Sequence, residues 1–329
     1  MKKKTVLVTG GAGFIGSHLV DRLVLKNYKV IVLDSLKSGV KKNLSKSFKR
    51  ITFIKKDIRN FKTYEKYFKK VDLVFHLAAI ADVVPSIKNP EEYFYTNVQG
   101  TLNVLKACRK HKVKKIVYIA SASCYGIAKE IPTSENAHVN TEYPYALTKR
   151  LGEELVIHWG KVYKLNFTSV RLFNVYGPRS RTAGAYGAMF GVFLSQKLAN
   201  KPFTIVGTGN QKRDFTYISD VIDALIIISK SKKSNKEIFN VGSGIPISVN
   251  KIAKMIGGKK IYIPKRPGEP EITVANIKKI KKVLRWRPKV NIKNGVKIML
   301  NNISYWKSAP LWTPKKIKKA TKDWFKYLK

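Results

Sequence analysis

The amino-acid sequence predicts an α/β fold, a doubly wound parallel sheet (Rossmann-like) with a smaller C-terminal substrate-binding domain. Three observations predict it. Apolar, β-branched runs alternate with stretches of helical periodicity through the first half of the chain. A glycine-rich turn joins the first such run to the first helix, and a Tyr145–Lys149 pair with helical spacing follows the fifth run. Strand–helix alternation of this kind buries parallel strands between two helical layers.

Residues 4–8 form the first predicted strand, too apolar to face water on either side. The turn Thr9-Gly-Gly-Ala-Gly-Phe-Ile-Gly16 follows at once, and from Phe14 onward Ile15, Leu19, Leu23 and Val24 fall on one helical side. A second run, residues 30–33, ends in Asp34. Strand, glycine turn, helix, strand and acid are the context of a dinucleotide-binding unit. Gly10, Gly13 and Gly16 are spaced G-x-x-G-x-x-G, where a Cβ would obstruct the turn, the pyrophosphate or the helix packing. With Phe14 and Ile15 they open a helix N-terminus that attracts phosphate. Asp34 is placed to accept from the adenosine ribose and to repel a 2′-phosphate, favouring NAD over NADP. Lys37 is near enough in sequence to soften that preference.

Further strands are expected at residues 51–54, 72–76, 115–120 and 167–172, with helices at 92–111 and 143–162. Ser121 falls just past the fifth strand, where a catalytic hydroxyl is expected. Tyr145 and Lys149, at i and i+4, share a helix face. A phenol ordinarily titrates near 10, so the expectation is that the Lys149 ammonium and a cationic nicotinamide lower it into range for a base. Lys149 is also expected to hold the nicotinamide ribose.

The 329 residues suffice for a large core, and no apolar run reaches membrane-spanning length. The first core strand follows Met-Lys-Lys-Lys directly, so a cytoplasmic address is expected. Two cysteines and five scattered histidines offer neither a disulfide framework nor metal-ligand spacing, so no metal is expected. The formal charge of +45 raises nucleic-acid binding. The lysines are spread over nearly every surface segment, which argues for a solvated basic surface that draws in anionic substrates. Residues 312–329 are more clustered, with Trp312, Ile317, Trp324, Phe325 and Leu328 among lysines. That segment reads either as a membrane-surface helix or, more commonly, as a terminal helix docked on its own domain or on a subunit partner.

The motifs from Thr5 to about Pro288 resemble the extended short-chain dehydrogenases, and within them the nucleotide-sugar epimerases similar to UDP-glucose 4-epimerase. The resemblance rests on the glycine turn, His76-Leu-Ala-Ala79, Asn97-Val-Gln-Gly-Thr101, Ser121-Ala-Ser-Cys-Tyr-Gly126, Tyr145-Ala-Leu-Thr-Lys149, Arg171-Leu-Phe-Asn-Val-Tyr-Gly-Pro178, Arg213-Asp-Phe-Thr-Tyr217 and Arg266-Pro-Gly-Glu269. The last 25 or so residues fall outside it. It implies an NAD-binding domain at 1–173, with 214–242 returning to it, a nucleotide-sugar domain at 174–304, and a basic amphipathic tail at 305–329. It further implies that Ser121 partners Tyr145, that Asp57 and Ile58 contact adenine, and that Leu77, Ala78, Ala79 and Asn97 line the cofactor site. Ser86, Ser123, Asn174, Arg213, Arg266 and Thr273 are implied at the substrate, with the arginines on its diphosphate. A homodimer is implied by the family alone.

Dehydratases and decarboxylases of the family carry an acid two places before the tyrosine of the Ser121–Gly126 motif, and here Ser123 stands there. The 3,5-epimerases carry a cysteine at that place, whereas Cys124 is one place later. What remains is a hydride-only cycle, C4 epimerisation of a UDP-hexose or UDP-N-acetylhexosamine. A nucleotide-sugar reductase or dehydrogenase, a dehydratase of the same family, and a non-catalytic binding relative stay open. The resemblance also makes Thr273, seven residues after Arg266, a gate beside the sugar's second carbon; its small side chain would admit an N-acetyl group.

Overall fold

The computed structural model describes residues 3–180 and 189–328. The first half follows the predicted alternation: β1 (Thr5–Thr9), α1 (Phe14–Leu25), β2 (Lys29–Asp34), β3 (Ile51–Lys55) and β4 (Leu73–His76). Two short helices, α2 (Pro85–Lys88) and α3 (Pro90–Tyr93), precede α4 (Gly100–Lys110), β5 (Lys115–Ser121), α5 (Pro144–Val162) and β6 (Asn166–Leu172). The second half holds β7 (Asn174–Tyr176), α6 (Met189–Leu198), β8 (Phe203–Val206), β9 (Lys212–Tyr217), α7 (Ile218–Lys230), β10 (Glu237–Val241), β11 (Pro246–Ser248), α8 (Val249–Ile256) and β12 (Lys260–Ile263). Helices α9 (Lys278–Leu284), α10 (Ile292–Asn301), α11 (Pro314–Ala320) and α12 (Lys322–Tyr327) close the chain.

Seven strands form one parallel sheet in the order β10-β6-β5-β4-β1-β2-β3. Period-2 geometry sends Val6 and Val8 to one face with α1 and α7, and Leu7 to the other with α4 and α5, so both faces are buried. This is why the strands carry unbroken apolar runs. The chain runs outward from β1 in both directions, so the C-terminal ends of β1 and β4 flank the switch point where ligands bind in such sheets.

The second half divides its elements. Strand β9 joins β11 and β7 in a three-stranded sheet, and β8 pairs with β12. Helix α7 packs on α1, where Arg22 and Asp223 pair, and β10 extends the large sheet. The chain thus returns to the large sheet through α7 and β10.

One expectation needs correction. The helix expected at 92–111 is interrupted by a π-helical turn, Phe94–Gln99, which carries Asn97; such turns widen a helix to re-aim a side chain. Residues 305–328 dock on the rest of the chain, the commoner of the two readings of the C-terminal segment. Trp306, Ile317 and Trp324 are buried, and α12 packs on α2.

Candidate active site

The cradle is built from backbone. Gly10 has φ +69°, and a Cβ there would meet the Ala78 backbone nitrogen at 2.7 Å. A Cβ on Gly16 would lie 2.2 Å from the Gly10 carbonyl oxygen. Only glycine lets the turn, α1 and the strand-end segment Leu77–Ala79 come this close. Helix α1 begins after Gly13 with neither a side-chain cap nor an acid in its first turn, and Gly13, Phe14, Ile15 and Gly16 line a cavity of about 860 Å³. Its positive end therefore faces the cavity uncompensated. A dinucleotide phosphate fits a cradle that a methyl group would fill, and Gly10, Gly13 and Gly16 would hold it.

Asp34 ends β2 on the same cavity. Its carboxylate accepts from the backbone N–H groups of Ala12 (2.9 Å) and Leu36 (2.8 Å). Burial nevertheless outweighs those bonds and raises its pKa. Lys37 is engaged with Glu92, so its charge is partly spent. Asp57 and Ile58 also line the cavity, with Asp57 held by the Arg59 guanidinium.

The proton-handling group sits at the seam between β5 and α5. Ser121 is the last residue of β5, and its Oγ caps the short turn Ala122–Tyr125 by accepting from the Ser123 N–H at 3.2 Å. The Ser123 hydroxyl donates to Ser121 Oγ at 2.8 Å, and Ser121 in turn hydrogen-bonds the Tyr145 phenol. Pro144 opens α5, where its missing N–H costs nothing, and sets Tyr145 in the first turn. One turn on, Lys149 donates from Nζ to the Ile119 carbonyl at 2.5 Å and lies 4.5 Å over the Tyr118 ring.

Among the protein's own groups, burial opposes the expected lowering of the Tyr145 phenol. Burial raises the phenol above its ordinary value, outweighing the Ser121 hydrogen bond that lowers it, while Asp82 adds to the rise. Lys149 does not drive the phenol down, because burial lowers the lysine itself to about 7 despite the Glu153 carboxylate. The protein's own groups thus favour a neutral phenol beside an amine that loses its proton readily.

A polar lattice holds this seam from behind. Arg171 is fully enclosed with Glu153, donating to both carboxylate oxygens, and its Nη1 donates to the Tyr125 hydroxyl at 2.8 Å. Tyr125 donates in turn to Asn240 Oδ1 on β10 at 2.8 Å. A buried pair with every partner satisfied fixes geometry. Here it fixes the turn that carries Ser121 and Ser123.

The opposite wall is made of side chains. Arg213 on β9 and Arg266 in the loop after β12 converge on Glu269, at 3.9 and 2.6 Å, so this cluster on the cavity carries one net positive charge. Asn174 and Thr273 line the same wall. The Thr273 hydroxyl is buried and makes no hydrogen bond among the described residues, while its backbone N–H donates to Lys212.

Two expected contacts stand off the cavity. Asn97 is buried with its amide spent: Oδ1 accepts from the Ile80 N–H at 2.8 Å, and Nδ2 donates to the Ile80 carbonyl and to Thr148, both at 3.1 Å. It ties the cavity-lining 77–84 segment to α5 and acts as a positioning residue. Ser86 is buried and donates to the Val83 carbonyl at 2.7 Å. Cys124 is also buried away from the cavity, with its thiol pushed up to about 12, so it does not supply an acid. Conversely, Trp324 on α12 lines the cavity although sequence reasoning assigned it no site role. Its aromatic helix face was visible, but nothing in the sequence named what that face would meet.

A glycine cradle opening onto a Ser–Tyr–Lys group is the arrangement of the short-chain dehydrogenase class. The chain belongs to the NAD dependent epimerase/dehydratase family, whose model matches residues 6–242, and NAD is its cofactor. It is 38% identical over 304 residues to a putative UDP-glucose 4-epimerase of Methanocaldococcus jannaschii, covering 90% of this chain and 97% of that protein. Its structure is similar to a UDP-N-acetylglucosamine 4-epimerase from Methanobrevibacter ruminantium solved with UDP-N-acetylmuramic acid. That likeness has TM-score 0.85 at 32% identity, over 92% of this chain and 99% of that one. A UDP-glucuronic acid 4-epimerase from Bacillus cereus, solved with UDP-glucuronic acid and NAD, gives TM-score 0.84 at 34% identity, over 91% and 99%.

Proposed function

We propose that this protein epimerises a UDP-sugar at C4, taking N-acetylhexosamines at least as well as hexoses. The observation that carries this reading is that the Ser121–Tyr145–Lys149 group and the Arg213–Arg266 pair border one cavity with the glycine cradle. A substrate with a diphosphate on the arginines lies within the same enclosure as the phenol. When bound, NAD supplies the hydride acceptor and a positive ring charge that favours the phenolate. Tyr145 takes the proton of the C4 hydroxyl as the carbon is oxidised, and Ser121 donates to the phenol oxygen to steady the charge. The 4-keto sugar turns over in the cavity, and the phenol returns its proton when the hydride comes back to the other face. Lys149 holds the nicotinamide ribose.

Elimination of water needs an acid beside the leaving group. Ser123, a neutral hydroxyl already engaged with Ser121, stands where that acid would be. A homodimer through the outer face of α5 and the preceding π turn accords with the exposure of Phe94, Tyr95 and Leu147. The test uses UDP-N-acetylglucosamine deuterated at C4. The expected product is the C4 epimer with the label retained and no NADH released. A product lighter by one water, or stoichiometric NADH in solution, would overturn the reading.

A further inference from the structure

Helix α12 ends the described chain, yet it builds part of the cavity. Trp324 is only 1% exposed and still lines the wall that carries Arg266. Its indole N–H donates to the Pro267 carbonyl at 2.9 Å, and the Arg266 guanidinium lies 6.0 Å from the indole ring. The Tyr143 ring is 5.3 Å from the indole and stacks on Tyr145 at 6.5 Å with an 8° tilt. One side chain therefore touches the turn holding Arg266 and, through Tyr143, the ring of the proton-transfer residue.

That turn is also tied through Glu269, which pairs with Arg266 and faces Arg213, while Gly268 at its apex has φ +71° and a Cβ there would meet nothing within 4 Å. Helix α12 itself is firmly seated. Ile317 and Thr321 are buried, Thr321 Oγ1 donates to the Ile317 carbonyl, Gln196 donates to the Trp312 carbonyl, and α12 packs on α2 beside the cavity-lining 77–84 segment.

We infer that Trp324 is a positioning residue of the substrate site, holding Arg266 and its turn in place to receive the diphosphate of a nucleotide sugar. The inference rests on the nucleotide-sugar reading above and adds the C-terminal helix to the binding site. A cation over an indole and one indole hydrogen bond each contribute modestly. Trp324→Ala in the NAD-loaded enzyme should therefore weaken UDP binding, measured by calorimetry, and raise KM by about tenfold. NAD content should stay unchanged and kcat within about twofold, since Tyr145 keeps its Ser121 and Lys149 neighbours.

Trp324→Phe keeps the ring and loses only the N–H, so its affinity should fall by about two- to fivefold. It carries the test should the alanine variant not accumulate folded. Wild-type affinity for UDP in either folded variant overturns the role given to Trp324, even where the enzyme remains an epimerase. Failure of the wild-type protein to bind UDP at all would instead overturn the nucleotide-sugar reading, and this inference with it.

Discussion

The glycine turn at residues 10–16 and the arginine wall around Arg213 and Arg266 border the same cavity, yet they are made of different material. The turn is backbone, packed against backbone, where a Cβ on Gly10 or Gly16 would come within 2.7 or 2.2 Å of main-chain atoms. The wall is side chain, gathered from β7, β9, the 264–273 loop and α12, with Glu269 between its two arginines. A backbone cradle tolerates almost no change but needs only one contiguous segment to specify it. A side-chain wall can be retuned residue by residue, and its parts have no sequence relation to one another. The first suits a cofactor common to a family, and the second suits a substrate that varies within it.

The sharpest way to break this contrast is at the cradle. Gly16→Ala places a methyl group against the Gly10 carbonyl, and relief requires α1 to move off the turn. Overpacking of this kind costs about 1–3 kcal/mol. The purified variant is expected to contain no NAD and to have lost all turnover. Full NAD content, measured on the denatured protein, would show that the turn is softer than its contacts indicate.

Tyr145→Phe tests the seam where the two regions meet. The ring still stacks on Tyr143 while the transferable proton is gone. Turnover should fall by on the order of a hundredfold or more, with UDP affinity and NAD content unchanged. Near-normal kcat would remove Tyr145 from proton transfer.

How much of this was legible in sequence follows from the same contrast. The cradle could be read because residues 5–34 make it within one strand–helix–strand unit. Tyr145 and Lys149 could be read because helical spacing fixes their common face. Asn97 was recognised as important but placed at the cofactor; its partner Ile80 is joined to it only through the fold, and spacing does not show an amide spent on a backbone clamp. Ser86 failed as a contact for a similar reason, since its hydroxyl closes on Val83 three residues earlier. The ammonium near Tyr145 is apparent in a sequence, whereas the burial that opposes its effect is not. Trp324 lies 57 residues beyond its partner Pro267, and no local pattern joins them.

On the wall, Thr273→Tyr is the expected sieve. Thr273 lines the cavity with a hydroxyl that has no hydrogen-bond partner among the described residues, so a phenol there would occupy space and not replace a contact seen among them. Activity on UDP-N-acetylglucosamine should fall by about tenfold relative to UDP-glucose. Equal losses on both sugars, from parallel kcat/KM measurements, would mean that Thr273 does not face the sugar's second carbon.

The smallest effect concerns Lys149 and is read in stability, on protein stripped of nucleotide. Burial lowers its folded-state value from 10.5 to about 7. Below about pH 7 the folded and unfolded chains both carry the proton, and the cost of enclosing the ammonium is felt in full. Between about 7 and 10.5 the unfolded chain holds the proton and the folded chain has released it, so stability rises with pH. One such group contributes at most about 1.4 kcal/mol per pH unit. Lys115, lowered by burial to about 8, acts in the same direction, so the slope of the wild-type protein alone would mix the two. Lys149→Met keeps the aliphatic stem and removes the titration. Denaturant midpoints of both proteins between pH 7 and pH 10 should therefore diverge, the variant showing the shallower rise. Parallel slopes would mean that the Lys149 ammonium keeps its hydration, and that the seam between cradle and wall is open to water.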